Sequence, residues 1–130
     1  MDLPVPITGL YAGIQALIAF VLVFPIGRAR GRLGVSLGDG NSPELSVLVR
    51  RHGNWAEHVP FALLLFALLE LNGGSAVLLH GLGIALTLAR VVHPLGLRAD
   101  RVSTPQRILG AALTGVVTIV AGIALILKFF

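Results

Sequence analysis

The segment that decides the fold is residues 43–73, PELSVLVRRHGNWAEHVPFALLLFALLELNG. It begins as a charged helix and ends as an apolar one. Only twelve residues without a formal charge separate Glu57 from Glu70, whereas a helix needs about twenty apolar residues to cross a bilayer. A helix that spans here must therefore carry Glu57 into the membrane zone, where ionisable groups are costly and usually have a function.

Helical spacing places the polar side chains of this segment on one face. Four residues follow one another at i, i+4, i+7 and i+11: Arg50, Asn54, Glu57 and Phe61. Residues with these separations lie along the same side of a helix. The face combines a cation, an amide and a carboxylate, which indicates either contact with a polar neighbouring helix or a binding site for a polar ligand.

The composition of the whole chain is that of an integral membrane protein. Of its 130 residues, 55% are hydrophobic and 12% are charged, which is about half the charged fraction of a soluble domain. A soluble core of this length has no room for so much apolar surface. Because the chain has no cysteine, it has no disulfide bond and no cysteine nucleophile, and any reactive thiol must come with a substrate.

The apolar segments predict an all-α, integral membrane four-helix bundle in a single domain of residues 1–130. Residues 7–26 and 108–127 are runs of twenty residues without a charge, and each run is long enough to cross a membrane. The predicted spans are about 7–27, 44–72, 75–93 and 105–128, with a loop from residue 28 to residue 41.

Local signals place the helix ends and one polar contact. Ser42, and either Ser103 or Thr104, precede proline and are candidate N-caps of the second and fourth helices. Pro94 is expected to end the third helix. Gln15 lies inside the first span, where an interhelical hydrogen bond is the simplest expectation for a buried amide.

The arginines are concentrated at one end of the predicted bundle. Nine of the ten lysine and arginine residues lie on or beside the first and third connections, which share one side of two consecutive helical hairpins. Because basic loops stay in the cytoplasm, both termini are expected outside it, and a bacterial inner membrane fits this pattern. The nine are Arg28, Arg30, Arg32, Arg50, Arg51, Arg90, Arg98, Arg101 and Arg107.

The same topology brings the cytoplasmic ends of all four helices together. We expect a strongly cationic pocket there with one carboxylate, suited to a small ligand that carries several acidic groups and an ammonium group, because arginine forks bind carboxylates well. Simpler interpretations are that Arg28 and Arg107 are end charges that extend to the interface and that Arg50 and Glu57 form a structural ion pair. The expected rim is Arg28, Arg50, Asn54, Glu57, Arg90, His93 and Arg107.

The fourth helix carries a stripe of small residues, Ala111, Gly115, Thr118 and Gly122. Such stripes let membrane helices approach closely. Together with the polar face of the second helix, the stripe predicts a homo-oligomer.

The run RRHGNWAEHVPF at residues 50–61 resembles the second-helix signature of the membrane-associated proteins in eicosanoid and glutathione metabolism. This family includes microsomal glutathione transferases and leukotriene C4 synthase. The resemblance covers nearly the whole chain in length, number of spans and the arginine-rich third connection.

This resemblance implies a homotrimer of four-helix protomers with glutathione bound between neighbouring subunits near the cytoplasmic face. Arg107 matches the arginine that stabilises the glutathione thiolate and is the candidate catalytic residue. Arg50, Asn54 and Glu57 match glutathione-binding positions, as do His52 and Arg28. Arg90 and His93 of the expected rim, and His58 beside Glu57, complete the candidate set. The candidate glutathione-binding set is Arg28, Arg50, His52, Asn54, Glu57, His58, Arg90 and His93.

Three positions depart from the leukotriene-synthesising members, which carry tyrosines at the positions of His58, His93 and Leu97. The departures do not favour a tyrosine-assisted mechanism or an eicosanoid substrate. The implied function is that of a membrane-bound glutathione or thiol transferase, or a peroxidase, acting on a lipophilic electrophile. Its expected partners are the lipid bilayer, a small thiol and a lipophilic molecule, without metal or nucleic acid.

Two other classes of function remain open on the sequence. One is a non-catalytic membrane scaffold or binding protein that keeps the polar pocket. The other is a haem or quinone protein that uses histidines of the helices. His80 and His93 are thirteen residues apart, about 140° around one helix at about 100° per residue, which is a poor arrangement for one cofactor.

Overall fold

The computed structural model describes residues 4–130, and this range contains four long α-helices. They are α1 (Pro6–Leu33), α2 (Pro43–Leu71), α3 (Ala76–Leu95) and α4 (Pro105–Leu127). Each helix is long and apolar enough to cross a membrane. The predicted all-α, membrane-spanning four-helix architecture is confirmed.

Side-chain caps begin two of the helices as the local sequence predicts. The Ser42 hydroxyl accepts a hydrogen bond from the Leu45 N–H at 3.3 Å. The Thr104 hydroxyl accepts one from the Arg107 N–H at 3.3 Å. A proline follows each cap at the start of its helix, where its missing N–H would have no helical partner in any case.

Two helix ends differ from the prediction. α1 continues through Arg28 to Leu33, where a loop was expected, and α3 continues one residue past Pro94. Proline removes one backbone hydrogen bond and bends a helix without necessarily ending it. α1 ends instead at Gly34, whose φ of 66° is the left-handed conformation that glycine adopts without strain.

Contacts between distant segments define one end of the bundle, here called the terminal end because it holds the start of α1 and the end of α4. The Lys128 ammonium donates to the Gly73 carbonyl at 2.9 Å. The Glu70 carboxylate accepts from the backbone N–H groups of Ile7 and Thr8 at 2.9 and 2.8 Å. The beginning of α1, the α2–α3 connection and the end of α4 therefore lie together.

The opposite end, here called the arginine end, holds the connections of residues 34–42 and 96–104. Arg51 of α2 donates to the carbonyl of Leu97, just after α3, at 2.9 Å. The two long connections thus share one side, as the hairpin topology predicts.

The main core lies among α2, α3 and α4. Its larger members include Phe66, Leu79, Leu86 and Val117, each no more than 1% exposed. α1 packs on α2 and α3, while its outer side chains stay open, as for Leu17 at 71% exposed. An apolar exterior around a small core is what lipid contact requires.

One buried polar contact joins α1 to α2. The Trp55 indole N–H donates to the Gln15 side-chain oxygen at 2.9 Å, and Gln15 is completely buried. The interhelical hydrogen bond expected for Gln15 is present.

Candidate functional site

The predicted polar face of α2 contains a two-pronged ion pair. Arg50 donates to the two carboxylate oxygens of Glu57 at 2.7 and 2.8 Å. The side chains are 53% and 51% exposed, so the pair lies on the surface of the chain rather than within its core. Its guanidinium and carboxylate are both accessible to a neighbouring molecule.

Asn54 lies near this pair in the sequence but bonds to a different partner. Its side-chain oxygen accepts from Arg90 of α3 at 2.9 Å. The other guanidinium nitrogen of Arg90 donates to the Gly110 carbonyl at 3.1 Å and to the Thr114 hydroxyl. Arg90 therefore ties α2, α3 and α4 together.

Arg90 is an unusual group for a membrane helix because it is only 2% exposed. Its hydrogen-bond partners are an amide, a carbonyl and a hydroxyl. Within residues 4–130, none of the ion pairs includes it. A cation at this depth without a carboxylate partner is costly, and such a group commonly marks a site.

The candidate residues are distributed over several cavities of the single chain. Arg50 and Arg107 line one cavity of about 390 Å³ together with Arg98. Asn54, His58 and Arg90 line a groove of about 300 Å³ beside the small residues of α4. Arg28 lines a third cavity, of about 490 Å³, with Arg32 and Glu44.

The histidines of the candidate set differ in their surroundings. His52 stacks on Trp55 with the ring centroids 6.1 Å apart, and His58 is exposed along the α2–α4 groove. His93 is 4% exposed and packs against α4, where a Cβ added to Gly110 would lie 2.5 Å from the His93 Cβ. His93 thus lies within the α3–α4 contact of the chain.

Arg107 begins α4 and is tethered to the connection before it. Its guanidinium donates to the Val102 carbonyl at 2.5 Å. In the same connection, Arg98 donates to Asp100 at 3.1 Å. This hydrogen bond lowers the pKa of the Asp100 carboxyl, so Asp100 stays ionised at neutral pH and offsets part of the positive charge beside the Arg50 and Arg107 cavity.

Sequence reasoning did not single out Arg51 as a site residue. Its bond to the Leu97 carbonyl and its place beside Arg90 become visible only when α1, α2 and α3 are assembled. The available signal was a second arginine in the membrane zone next to Arg50.

Comparison with known proteins identifies the family. The MAPEG family profile matches residues 8–127. Inner membrane protein YecN of Escherichia coli (strain K12) is 36% identical over 90 residues, which are 69% of this chain and 69% of YecN. The YecN of Escherichia coli O6:H1 gives the same identity and coverage. No solved structure matches the chain.

The relatives are described as inner membrane proteins, and this chain has four helices that can cross a membrane. Together these findings support integral placement in an inner membrane. Because the family profile matches most of its length, the chain belongs to the MAPEG family of membrane proteins.

Proposed function

We propose that the protein is a membrane-bound transferase or peroxidase that activates the thiol of glutathione, or of a related small thiol, for attack on a lipophilic electrophile. The observation that carries this proposal is the Arg50–Glu57 pair, held in a two-pronged geometry yet half exposed. One turn further along α2, Phe61 is 55% exposed, so the pair adjoins an apolar surface.

The pair matches the chemistry of a small peptide thiol. Glutathione carries two carboxylates and an ammonium group. The fork of Arg50 suits a ligand carboxylate, and Glu57 can accept from the ligand ammonium group. Binding would exchange one ion pair for two, so the ligand would lose few electrostatic contacts when it leaves water.

The reactive step needs a thiolate. A free thiol has a pKa of about 8.5 and is only a few per cent ionised at neutral pH. A guanidinium within hydrogen-bond reach stabilises the thiolate and lowers that pKa. Arg107 shares a cavity with Arg50, which supports its assignment as the thiolate-stabilising residue. The thiol proton would pass to water, and the thiolate sulfur would form a bond to the electrophile, whose leaving group takes the electron pair. With a peroxide, the sulfur would take one oxygen and release an alcohol, and a second thiol would then form a disulfide and water.

The lipophilic acceptor would reach this site from the bilayer. Holding the two reactants together at the membrane interface would supply much of the rate enhancement. Arg28, His52, Asn54, His58, Arg90 and His93 belong to the proposed binding set, with the glutathione site completed by a neighbouring protomer.

A homotrimer is part of this proposal. Ala111 and Gly115 are exposed in the single chain, and a Cβ added to Gly115 or Gly122 would have no neighbour within 4 Å. The capacity of this stripe for close helix packing is therefore unused within one chain. Native mass measurement in mild detergent should give the mass of three copies; monomers alone would contradict the shared site.

The orientation is also proposed, with both termini outside the cytoplasm and the arginine end inside. The asymmetry of basic residues supports it. A reporter that is active only in the cytoplasm should stay inactive when it is fused after Phe130. Activity of that fusion would reverse the assignment.

The binding role of Glu57 can be tested with Glu57→Gln. Because the pair is half exposed, its contribution to stability is small, and the melting temperature should stay close to that of the wild type. Glutathione affinity should fall about tenfold or more, because a charge-assisted hydrogen bond to the ligand is lost. Arg50→Lys should likewise leave the melting temperature nearly unchanged and lower the glutathione affinity, since lysine keeps the charge and loses the planar fork.

Glu44→Gln is the matched control. Glu44 lies at the start of α2, the helix that carries Glu57, and accepts from Arg32 of α1 at 2.5 and 2.7 Å. It is 54% exposed and lies outside the proposed binding set. Glu44→Gln should change neither the melting temperature nor the glutathione affinity. Thermal unfolding and glutathione titration on the same preparations measure both; a large loss of melting temperature at Glu57→Gln with unchanged affinity would remove the binding role.

A further inference from the structure

A further cavity, of about 530 Å³, lies between α1, α2 and α3 on the side of the arginine end. α1 and α3 approach closely near the terminal end, where a Cβ on Gly83 would lie 2.3 Å from the Tyr11 ring. About two turns further along each helix, Leu17 of α1 and Arg90 of α3 line the cavity between them. The cavity therefore forms where the two helices separate.

The charged side chains that line this cavity are two arginines, Arg51 and Arg90. Each has a buried Nε–H without an acceptor among residues 4–130. Neither belongs to an ion pair in that part of the chain. Two cations that have no ion-pair partner in the described range and lie beside an apolar cavity favour an anion there, because buried charge without a partner is costly.

The cavity has a cationic part, lined by the two arginines, and an apolar extension along α1. From Pro25 to Leu17, α1 supplies an apolar wall about 12 Å long, at 1.5 Å per residue, that runs from the arginine end toward the middle of the span. Leu17 and Val21 are 71% and 68% exposed, so the wall is open sideways to the hydrocarbon. Cations at the interface and an apolar groove at depth are complementary to an anionic amphiphile.

We propose that this cavity binds one anionic phospholipid of the surrounding bilayer. Arg51 and Arg90 bind its phosphate, and an acyl chain lies along Leu17 and Val21 of α1. Guanidinium groups suit phosphate oxygens because they present several donors in a fixed plane. The lipid supplies the counter-charge that the described part of the chain lacks. Arg90 also belongs to the proposed glutathione-binding set, so the test below relies on Arg51, which lines this cavity and lies outside that set.

The test uses the purified full-length protein in detergent, with phosphatidylglycerol or phosphatidylcholine added and bound copies counted by native mass spectrometry. Phosphatidylglycerol should bind the wild type more tightly than phosphatidylcholine, whose phosphate carries its own cation. Arg51→Gln should weaken phosphatidylglycerol binding about tenfold or more. Arg101→Gln makes the same change in net charge at a 67% exposed side chain outside the cavity, and should bind as the wild type does.

A second variant tests the apolar groove while keeping both arginines. Val21→Trp fills the groove from an exposed position, so it should leave the fold intact and reduce phosphatidylglycerol affinity. Equal binding of the two lipids, equal loss in Arg51→Gln and Arg101→Gln, or full binding by Val21→Trp would each overturn the proposal. Displacement of the lipid by inorganic phosphate would assign the site to a free anion instead. A changed oligomeric mass in Val21→Trp would assign the groove to a second copy of the chain.

Discussion

The two ends of the bundle use polar groups in different ways. At the terminal end, the Tyr11 hydroxyl donates to the His80 carbonyl at 3.1 Å, and the Glu70 carboxylate accepts from two backbone N–H groups. At the arginine end, Arg51 and Arg90 each retain a buried Nε–H without an acceptor in the described chain. At the terminal end the buried group left without a partner among the described residues is the neutral Thr8 hydroxyl, whereas at the arginine end the unused donors belong to two cations that line a cavity.

Glu57 and Glu70 show the same difference between two carboxylates of one helix. Glu70 is bound by the start of α1, a segment more than sixty residues away in sequence, and so holds two helices together. Glu57 is bound by Arg50 on its own helix and remains half exposed. Glu70 therefore has a structural role between helices that Glu57 lacks in the single chain. Three substitutions measure how far contacts between helices stabilise the bundle.

The largest effect on stability is expected at the close contact of α1 with α3. In Gly83→Val the added side chain overlaps the Tyr11 ring, since even a Cβ would lie 2.3 Å from it. Overpacking of this kind costs about 3 kcal/mol at the upper end of its usual range. Thermal unfolding in detergent measures the loss.

Gly27→Ala is the control for this prediction at the arginine end of α1. A Cβ there would meet no atom within 4 Å, so alanine should raise helix stability by about 0.5–1 kcal/mol. Similar melting temperatures for Gly83→Val and the wild type would show that α1 and α3 are not closely packed at the terminal end.

A smaller effect is expected where α1 crosses α2. Trp55→Phe keeps an aromatic ring beside His52 but removes the N–H that binds the buried Gln15 oxygen. An unsatisfied buried acceptor costs about 2 kcal/mol, which thermal unfolding should show. Adding Gln15→Leu removes the unsatisfied amide, so the double variant should recover much of the loss. A double variant less stable than Trp55→Phe would contradict this account.

The smallest of the three effects is expected for Glu70→Gln. Glutamine keeps one acceptor oxygen but loses the negative charge that the N-terminus of α1 favours, at a cost of about 1 kcal/mol. Glu44→Gln, which alters an exposed ion pair at the other end of α2, should cost less in the same unfolding experiment. Equal losses in the two variants would mean that Glu70 contributes no more than a surface charge.

Much of the fold followed from the sequence because the signals act within one helix. Two uncharged runs of membrane length and two further apolar segments predicted four spans. Ser42 and Thr104 cap α2 and α4 as their positions before proline indicated. The spacing of Arg50 and Glu57 predicted a shared face, and the two side chains do bond to each other. Two helix ends were predicted too early. In α1 the arginine-rich residues after the apolar run continue the helix, and in α3 Pro94 signals a boundary more strongly than it enforces one.

The sequence by itself determined the membrane class, the helices, their caps and the family, because composition, periodicity and local hydrogen bonding need no distant partner. Only the tertiary structure decided that Arg90 binds Asn54, 36 residues away, that His93 is buried in the α3–α4 contact, and that Glu70 caps α1. These partners depend on how each helix is rotated and tilted against the next. The cavity between α1, α2 and α3 has the same origin, since it exists where two helices in close contact at one end separate toward the other.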